Sequence, residues 1–139
     1  MSKIAVVYFS NTGNTEAMAD AIADALNGKA DVKEIQASDF TADQVKDYDA
    51  IAFGCPAMGS EVLEEDVFEP MFESVEGELK GKKIALFGSY GWGDGEWMRN
   101  WADRCASDGA VLATDPVICQ DAPDDAAKDQ LAALAAALL

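Results

Sequence analysis

Short apolar runs alternate along the chain with segments whose apolar residues follow a helical period. Residues 4–9 are all apolar, as expected of a strand buried on both faces of a parallel sheet. The next segment, which Asn27-Gly28 is expected to end, carries apolar residues at helical spacing: Met18, Ala21, Ile22, Ala25, Leu26. This start of the chain therefore predicts a strand followed by an amphipathic helix.

The rest of the chain repeats the alternation. Three further strands are predicted over 32–35, 49–53 and 83–87, and a fifth over 111–119, interrupted at Pro116. Helices are predicted over 62–75, with a break or kink at Pro70, then over 97–105, and from Asp124 onward. Strands that alternate with helices predict one α/β domain, residues 1–139, with a five-stranded parallel sheet.

The net charge of the chain limits the classes of molecule that it is expected to bind. It has 26 acidic and 10 basic residues, a formal charge of −16, which disfavours binding to nucleic acids and to anionic membranes. Two interpretations stay open: the charge only keeps the protein soluble, or it forms a docking surface for cationic partner proteins.

The residue types that are scarce exclude several kinds of chemistry. Three cysteines without a C-x-x-C pair make a disulfide framework or a thiolate metal site improbable. The absence of histidine removes Ser–His–Asp and Cys–His catalysis and the usual zinc sites. A bound cofactor is then expected to carry any chemistry.

The location of the protein is expected to be cytoplasmic. The apolar run near the N-terminus, residues 4–9, is too short for the core of a signal peptide, and no run reaches transmembrane length.

The first loop (residues 10–15), after the first strand, has the composition of an anion site. It contains only small, hydroxyl-bearing or amide residues: Ser10, Asn11, Thr12, Gly13, Asn14, Thr15. An ordinary N-cap would explain two of them but not six in succession, whereas inward-pointing N–H groups at a helix N-terminus bind phosphate. The loop has no Lys or Arg, so we expect helix dipole and hydroxyls alone to hold the phosphate. It also lacks the motifs of P-loop, dinucleotide-binding and phosphatase sites.

The second loop (residues 54–61), after the third strand, places a methionine beside a glycine. It reads Gly54, Cys55, Pro56, Ala57, Met58, Gly59, Ser60, Glu61. The functional interpretation is a thioether lying against a flat ring, with Gly59 free to change its backbone conformation. A turn with an incidental methionine remains the alternative, and Glu61 is an ordinary solvated acid unless a ligand N–H lies near it.

The third loop (residues 88–95), after the fourth strand, combines four glycines with two aromatic residues. It reads Gly88, Ser89, Tyr90, Gly91, Trp92, Gly93, Asp94, Gly95. The aromatic residues are expected to stack on a planar ligand, and the alternative is that they fold back over the core. Trp97 and Trp101 differ, because their helical spacing predicts packing in the core. Since ligands of parallel sheets bind beyond the carboxyl ends of the strands, the three loops together predict a planar ring with a phosphate tail, and FMN fits.

The chain resembles the short-chain flavodoxins of anaerobic bacteria over essentially its whole length. The motifs are Thr-Gly-Asn-Thr-Glu at 12–16, Pro-Ala-Met-Gly at 56–59 and the segment 81–95. The resemblance implies a flavodoxin-like, doubly wound five-stranded sheet in the order 2-1-3-4-5, with helices on both faces and FMN where the winding reverses.

The resemblance also implies a role for each loop. The first loop holds the phosphate, Met58 lies on the inner face of the isoalloxazine, and Trp92 stacks on the outer face. Glu61 accepts a hydrogen bond from the pyrimidine edge. Backbone groups of the third loop meet the flavin: Ser89, Tyr90, Gly91, Gly93. The Met58–Gly59 peptide flips on one-electron reduction, for which a positive φ at Gly59 is expected.

The function implied is that of a low-potential one-electron carrier rather than an enzyme. It would shuttle between semiquinone and hydroquinone in place of ferredoxin, as a monomer whose acidic flavin edge docks on redox partner proteins. Three positions need comment: Asn11 stands where the nearest relatives are expected to have glycine, Ser60 where some have an acid, and Asp121 where a polar neighbour of the flavin is expected.

Three alternative functions are compatible with an α/β fold of this kind. A flavin-dependent reductase of the same fold would need a substrate lid or a dimer arm, and the five predicted βα units leave no residues for either. A receiver-type signalling module would need acids at the ends of the first and third strands, where the chain has Phe9-Ser10 and Gly54-Cys55. A chain that has lost FMN conflicts with three intact loops.

Overall fold

The structure, a computed structural model, describes residues 2–59 and 61–139 and is built around one parallel sheet. Its strands run in the order β2-β1-β3-β4-β5, and β6 also pairs with β4. The strands are β1 (Lys3–Tyr8), β2 (Asp31–Gln36), β3 (Ala50–Gly54), β4 (Lys83–Tyr90), β5 (Val111–Leu112) and β6 (Val117–Gln120). Two short segments, β5 and β6, thus share the last position of the sheet. The expected order 2-1-3-4-5 and the interruption at Pro116 are confirmed.

Helices cover both faces of the sheet. On one face α1 (Asn14–Leu26) and α4 (Asp125–Leu138) bury one apolar core, and on the other α2 (Phe68–Val75) and α3 (Glu96–Ser107) bury a second. The predicted core positions of Trp97 and Trp101 are confirmed, since each is 2% exposed. The Trp101 ring packs edge-to-face on Phe68 and Phe72, with centroids 5.3 and 5.7 Å away. Packing on two faces explains why the central strands are apolar at most positions.

The second helix begins later than the sequence predicts. The expected helix over 62–75 is wrong for its first six residues, because α2 starts only at Phe68. The Glu64 carboxylate accepts hydrogen bonds from the backbone N–H groups of Asp66, Val67 and Phe68 at 2.8, 2.7 and 2.7 Å, so it caps the helix. Pro70 falls in the first turn of α2, where its missing N–H leaves no hydrogen bond unmade. The predicted break there is wrong, because α2 continues through Pro70 to Val75.

The connection between β2 and β3 has no α-helix. It consists of two 3₁₀ helices, Ala37–Asp39 and Ala42–Asp47, with Phe40 and Val45 buried against the core. In the described part of the chain, no helix is long and apolar enough to cross a bilayer.

Charges are unevenly divided between the two ends of the sheet. Seven of the ten basic residues lie where the strands begin: Lys3, Lys29, Lys33, Lys46, Lys80, Lys82, Lys83. The three loops at the carboxyl end contain no basic residue at all. The acidic residues at the carboxyl end therefore have fewer lysines near them than those at the amino end.

Candidate cofactor site

The first loop folds around the Ser10 side chain and leads directly into α1. The Ser10 hydroxyl oxygen accepts hydrogen bonds from the backbone N–H groups of Gly13 and Glu16, at 3.1 and 3.2 Å. Gly13, the residue before α1, has φ +92°, a left-handed conformation that glycine adopts without strain. This turn forms the start of α1, where the helix dipole favours an anion.

Thr15 supplies a buried hydroxyl at the same helix terminus. Its side chain is 1% exposed, and within the described residues its Oγ1 has no hydrogen-bond partner. Buried hydroxyls are normally paired, because leaving one unpaired costs about 1–3 kcal/mol. An unpaired donor at a helix N-terminus therefore fits a ligand oxygen such as that of a phosphate.

The second loop forms a tight hairpin that presents Met58. The Met58 N–H donates to the Val62 carbonyl at 2.9 Å, and the Val62 N–H donates back at 3.3 Å. Glu61 has the left-handed backbone in this hairpin, with φ +54°, whereas the φ of Gly59 lies outside that region. The positive φ expected at Gly59 is therefore not present in this conformation of the turn. Ser60, a predicted site residue, lies outside the described residues.

Two side chains connect the second loop to its neighbours. The Glu61 carboxylate accepts a hydrogen bond from the Asp94 N–H of the third loop at 3.1 Å. Gly93 has φ +90°, which favours glycine, and a Cβ atom there would also displace that carboxylate. On the other side, the Asn11 amide of the first loop donates to the Met58 sulfur, with 3.9 Å between Nδ2 and Sδ. The three loops are thus joined into one site.

The two aromatic residues of the third loop have different environments. Tyr90 is half-buried against Trp97, with ring centroids 5.6 Å apart, which matches the fold-back alternative. Trp92 is 64% exposed, which leaves its indole free to stack on a ligand. Ser89 is 4% exposed and its hydroxyl donates to the Asp121 carbonyl at 2.6 Å, so its side chain has a structural partner.

Close backbone contact brings the second and third loops together. The Ala57 N–H donates to the Ser89 carbonyl at 3.0 Å, and a Cβ atom at Gly88 would collide with the Cys55 carbonyl. The same carbonyl accepts a hydrogen bond from the Trp97 indole N–H at 3.2 Å. Pro56 is buried at this contact and Ala57 packs against the core, so both position the loop.

A fourth loop, which follows β6 and is not among the three predicted loops, also reaches the site. Gln120 donates through its side-chain amide to the Gly91 carbonyl at 3.2 Å, and the Asp121 N–H donates to the Tyr90 carbonyl at 2.9 Å. Asp121 has φ +59°. Both residues lie at the carboxyl end of β6, so the rule that identified the other three loops also identifies this one.

The acids around the site are not equivalent. Burial alone would raise the pKa of Glu64, but its three N–H donors outweigh burial and hold the pKa below its ordinary value. The Glu64 charge is thus compensated by the start of α2, whereas Glu65 and Asp66 are exposed. Within the described residues, no group of three or more Cys, Asp or Glu side chains is arranged to hold a metal ion.

The sequence was compared with families of known proteins. Residues 6–133 match the family model described as flavodoxin. The chain belongs to the flavodoxin family. It is 49% identical to a flavodoxin of Clostridium beijerinckii over 126 residues, 89% of this chain and 91% of that one. It is 48% identical to a flavodoxin of Megasphaera elsdenii over 124 residues, 88% of this chain and 90% of that one.

Solved structures of flavodoxins confirm the fold. The solution structure of two-electron reduced Megasphaera elsdenii flavodoxin superposes with a TM-score of 0.89 and 46% identity, covering 98% of this chain and 99% of that one. A flavodoxin from the domain Archaea superposes with a TM-score of 0.82 and 32% identity, covering 96% and 93% of the two chains. As a member of the flavodoxin family, the chain is a small FMN-binding electron carrier and not an enzyme. This outcome excludes the reductase and receiver alternatives.

Proposed function

We propose that the chain holds FMN non-covalently, with the phosphate at the first loop and the ring between Met58 and Trp92. The observation that carries this proposal is the unpaired Thr15 hydroxyl at the start of α1, on the same end of the sheet as an indole that is 64% exposed. An anion site and a stacking surface at one end of the sheet suit a planar ring with a phosphate tail.

The remaining predicted residues line this position in the proposal. The first loop contributes its N–H groups and hydroxyls: Ser10, Asn11, Thr12, Gly13, Asn14. Pro56, Ala57 and Gly59 shape the turn beside the ring, and Ser60 stays a predicted cofactor-binding residue. Backbone groups of the third loop approach the ring edge: Ser89, Tyr90, Gly91, Gly93. Glu61 accepts a hydrogen bond from the pyrimidine edge.

The acidic surroundings support a low redox potential. FMN supplies one-electron chemistry when bound, and its fully reduced form is an anion. Glu61, Glu65 and Asp66 place negative charge around the site, and the three loops carry no basic residue. Asp94 contributes less, because it pairs with Arg99 at 3.0 Å. Negative charge near a buried anion disfavours that anion, so the second electron is held weakly and is readily donated. Compensation of Glu64 at α2 makes this effect smaller than a count of acids suggests.

The acidic residues around the site also suit redox partner proteins that carry a cationic docking surface. We propose that the protein replaces ferredoxin with such partners, acts as a monomer and works in the cytoplasm. Electrostatic steering towards a cationic partner raises the rate of encounter and decreases with salt. Nucleic acids and anionic membranes are not expected as partners.

Stepwise anaerobic reduction by dithionite, followed by visible absorption, tests this function. Two flavin bands that give way to a long-wavelength radical band before bleaching are the expected result. Direct bleaching without the radical band would indicate two-electron chemistry and contradict the proposal. Failure to bind added FMN would overturn it altogether.

A further inference from the structure

Met58 has little packing to fix its side chain. It is half-buried and belongs to neither of the two apolar cores, and its hairpin is held through backbone hydrogen bonds to Val62. A methionine side chain has three rotatable bonds, so it populates several conformations when packing does not restrict it. A contact that selects one conformation lowers the entropy lost when a ring binds against it.

Asn11 makes such a contact from the neighbouring loop. Its Nδ2 lies 3.9 Å from the Met58 sulfur, across 47 positions of sequence, and the thioether is a weak acceptor. The resemblance described above places glycine at this position in the nearest relatives.

We propose that Asn11 is a positioning residue for Met58. Its amide holds the thioether in the conformation that faces the ring, and it thereby couples the phosphate loop to the loop that contacts the ring. The inference rests on the proposed function, because it takes Met58 as the residue on the inner face of the FMN ring. It assigns to Asn11 a side-chain role that is separate from the phosphate-binding role of its backbone.

A double-mutant cycle tests the coupling. Asn11→Ala removes the donor, and Met58→Leu removes the sulfur acceptor while keeping an apolar side chain of similar volume. The dissociation constant of FMN is measured by fluorescence titration for both single variants, the double variant and the wild type. Asn11→Ala is expected to weaken FMN binding about threefold in the wild type and to have no effect in the M58L background.

A second readout needs no flavin. In the apoprotein, the ε-methyl NMR resonance of Met58 is expected to shift and to broaden on Asn11→Ala. The matched control is Asn27→Ala, which removes an exposed asparagine at the far end of α1 and should leave both readouts unchanged.

The outcomes are distinct. Equal effects of Asn11→Ala in the wild-type and M58L backgrounds, or a Met58 methyl resonance that does not move, would overturn the positioning role while FMN binding stands. A wild-type protein that binds no FMN would instead overturn the proposed function, and this role with it.

Discussion

The Glu61 carboxylate accepts the backbone N–H of Asp94 at 3.1 Å and occupies the space that a side chain at Gly93 would need. It therefore joins the hairpin that presents Met58 to the loop that presents Trp92. Together with the backbone hydrogen bond from Ala57 to Ser89, this side chain helps to set the spacing between the two faces of the proposed ring site.

Substitution of Glu61 should separate the effect of its hydrogen bond with Asp94 from the effect of its negative charge. Glu61→Ala removes the acceptor for Asp94 and is expected to weaken FMN binding about tenfold. Glu61→Gln keeps a carbonyl oxygen that can accept the same N–H, so the loss should be smaller, about threefold. FMN titrations compare the two variants, with Glu65→Gln, an exposed acid nearby, as control. Equal losses for Ala and Gln would show that the contact with Asp94 contributes nothing.

Thr15→Val should affect cofactor binding without affecting the fold. The hydroxyl has no protein partner, so its replacement by a methyl group should leave the melting temperature of the apoprotein unchanged or slightly raised. FMN affinity should fall about tenfold, because a donor to the phosphate is lost. Riboflavin, which lacks the phosphate, serves as the control ligand. A riboflavin affinity that falls as far as that of FMN would show that Thr15 does not contact the phosphate.

Substitutions of Trp92 and Trp97 should have opposite effects on FMN binding and on stability. Trp92→Ala removes a side chain that is 64% exposed, so the free energy of unfolding of the apoprotein should change by less than about 0.5 kcal/mol. FMN binding should weaken at least about tenfold, because a stacked indole is lost. Trp97→Ala, at 2% exposure, should instead destabilise the fold by about 3–5 kcal/mol. Urea unfolding and FMN titration of both variants measure the difference, and similar unfolding effects would contradict it.

Gly59→Val tests whether the hairpin must change conformation. A Cβ atom at Gly59 meets nothing within 4 Å, and φ there lies outside the left-handed region, so the variant should fold and bind oxidised FMN. If a positive φ is needed on reduction, valine opposes it, and the radical band should shrink several-fold in a redox titration. An unchanged radical yield would show that no such change occurs at Gly59.

Asp108 should make the stability of the fold depend on pH. Arg104 pairs with Glu69 and Glu76 at 2.8 and 2.6 Å, while a buried oxygen of Asp108 has no protein partner. Burial and the neighbouring Glu76 carboxylate raise the pKa of Asp108 to about 6. The protonated form is thus favoured in the fold, and its stabilisation, complete below the unfolded pKa of about 4, is lost as the pH rises through 6.

Asp108→Asn removes this titration. Relative to the wild type, the variant should be more stable by about 1–2 kcal/mol at pH 7.5, and this gain should disappear near pH 4. Chemical unfolding across that range measures it, with Asp103→Asn, an exposed acid on α3 just before Asp108, as control. A gain that does not vary with pH would contradict the raised pKa.

The order of the strands and the positions of the loops could be predicted because two physical constraints determine them. Strands covered on both faces must be apolar throughout, and the ligand end of a parallel sheet follows from its connections. The start of α2 could not be predicted in the same way. The apolar pattern continues upstream of Phe68, and only the folded Glu64 side chain shows where the helix is capped.

The contacts within the site could not be predicted from the pattern of residues along the sequence. The contact between Asn11 and Met58 spans 47 positions and that between Asp94 and Glu61 spans 33, and each depends on the reach of one side chain. The different environments of Tyr90 and Trp92 likewise depend on Trp97, because its ring packs on that of Tyr90. The fourth loop differs from these cases, because Gln120 and Asp121 follow a predicted strand.

The concentration of basic residues at one end of the sheet has a consequence for motion as well as for contact. A molecule whose lysines gather at one pole and whose uncompensated acids lie at the other has a permanent electric moment along its strands. In the field of a cationic protein it experiences a torque before the surfaces meet. The molecule would then rotate during diffusion, so that the pole with the three loops arrives first.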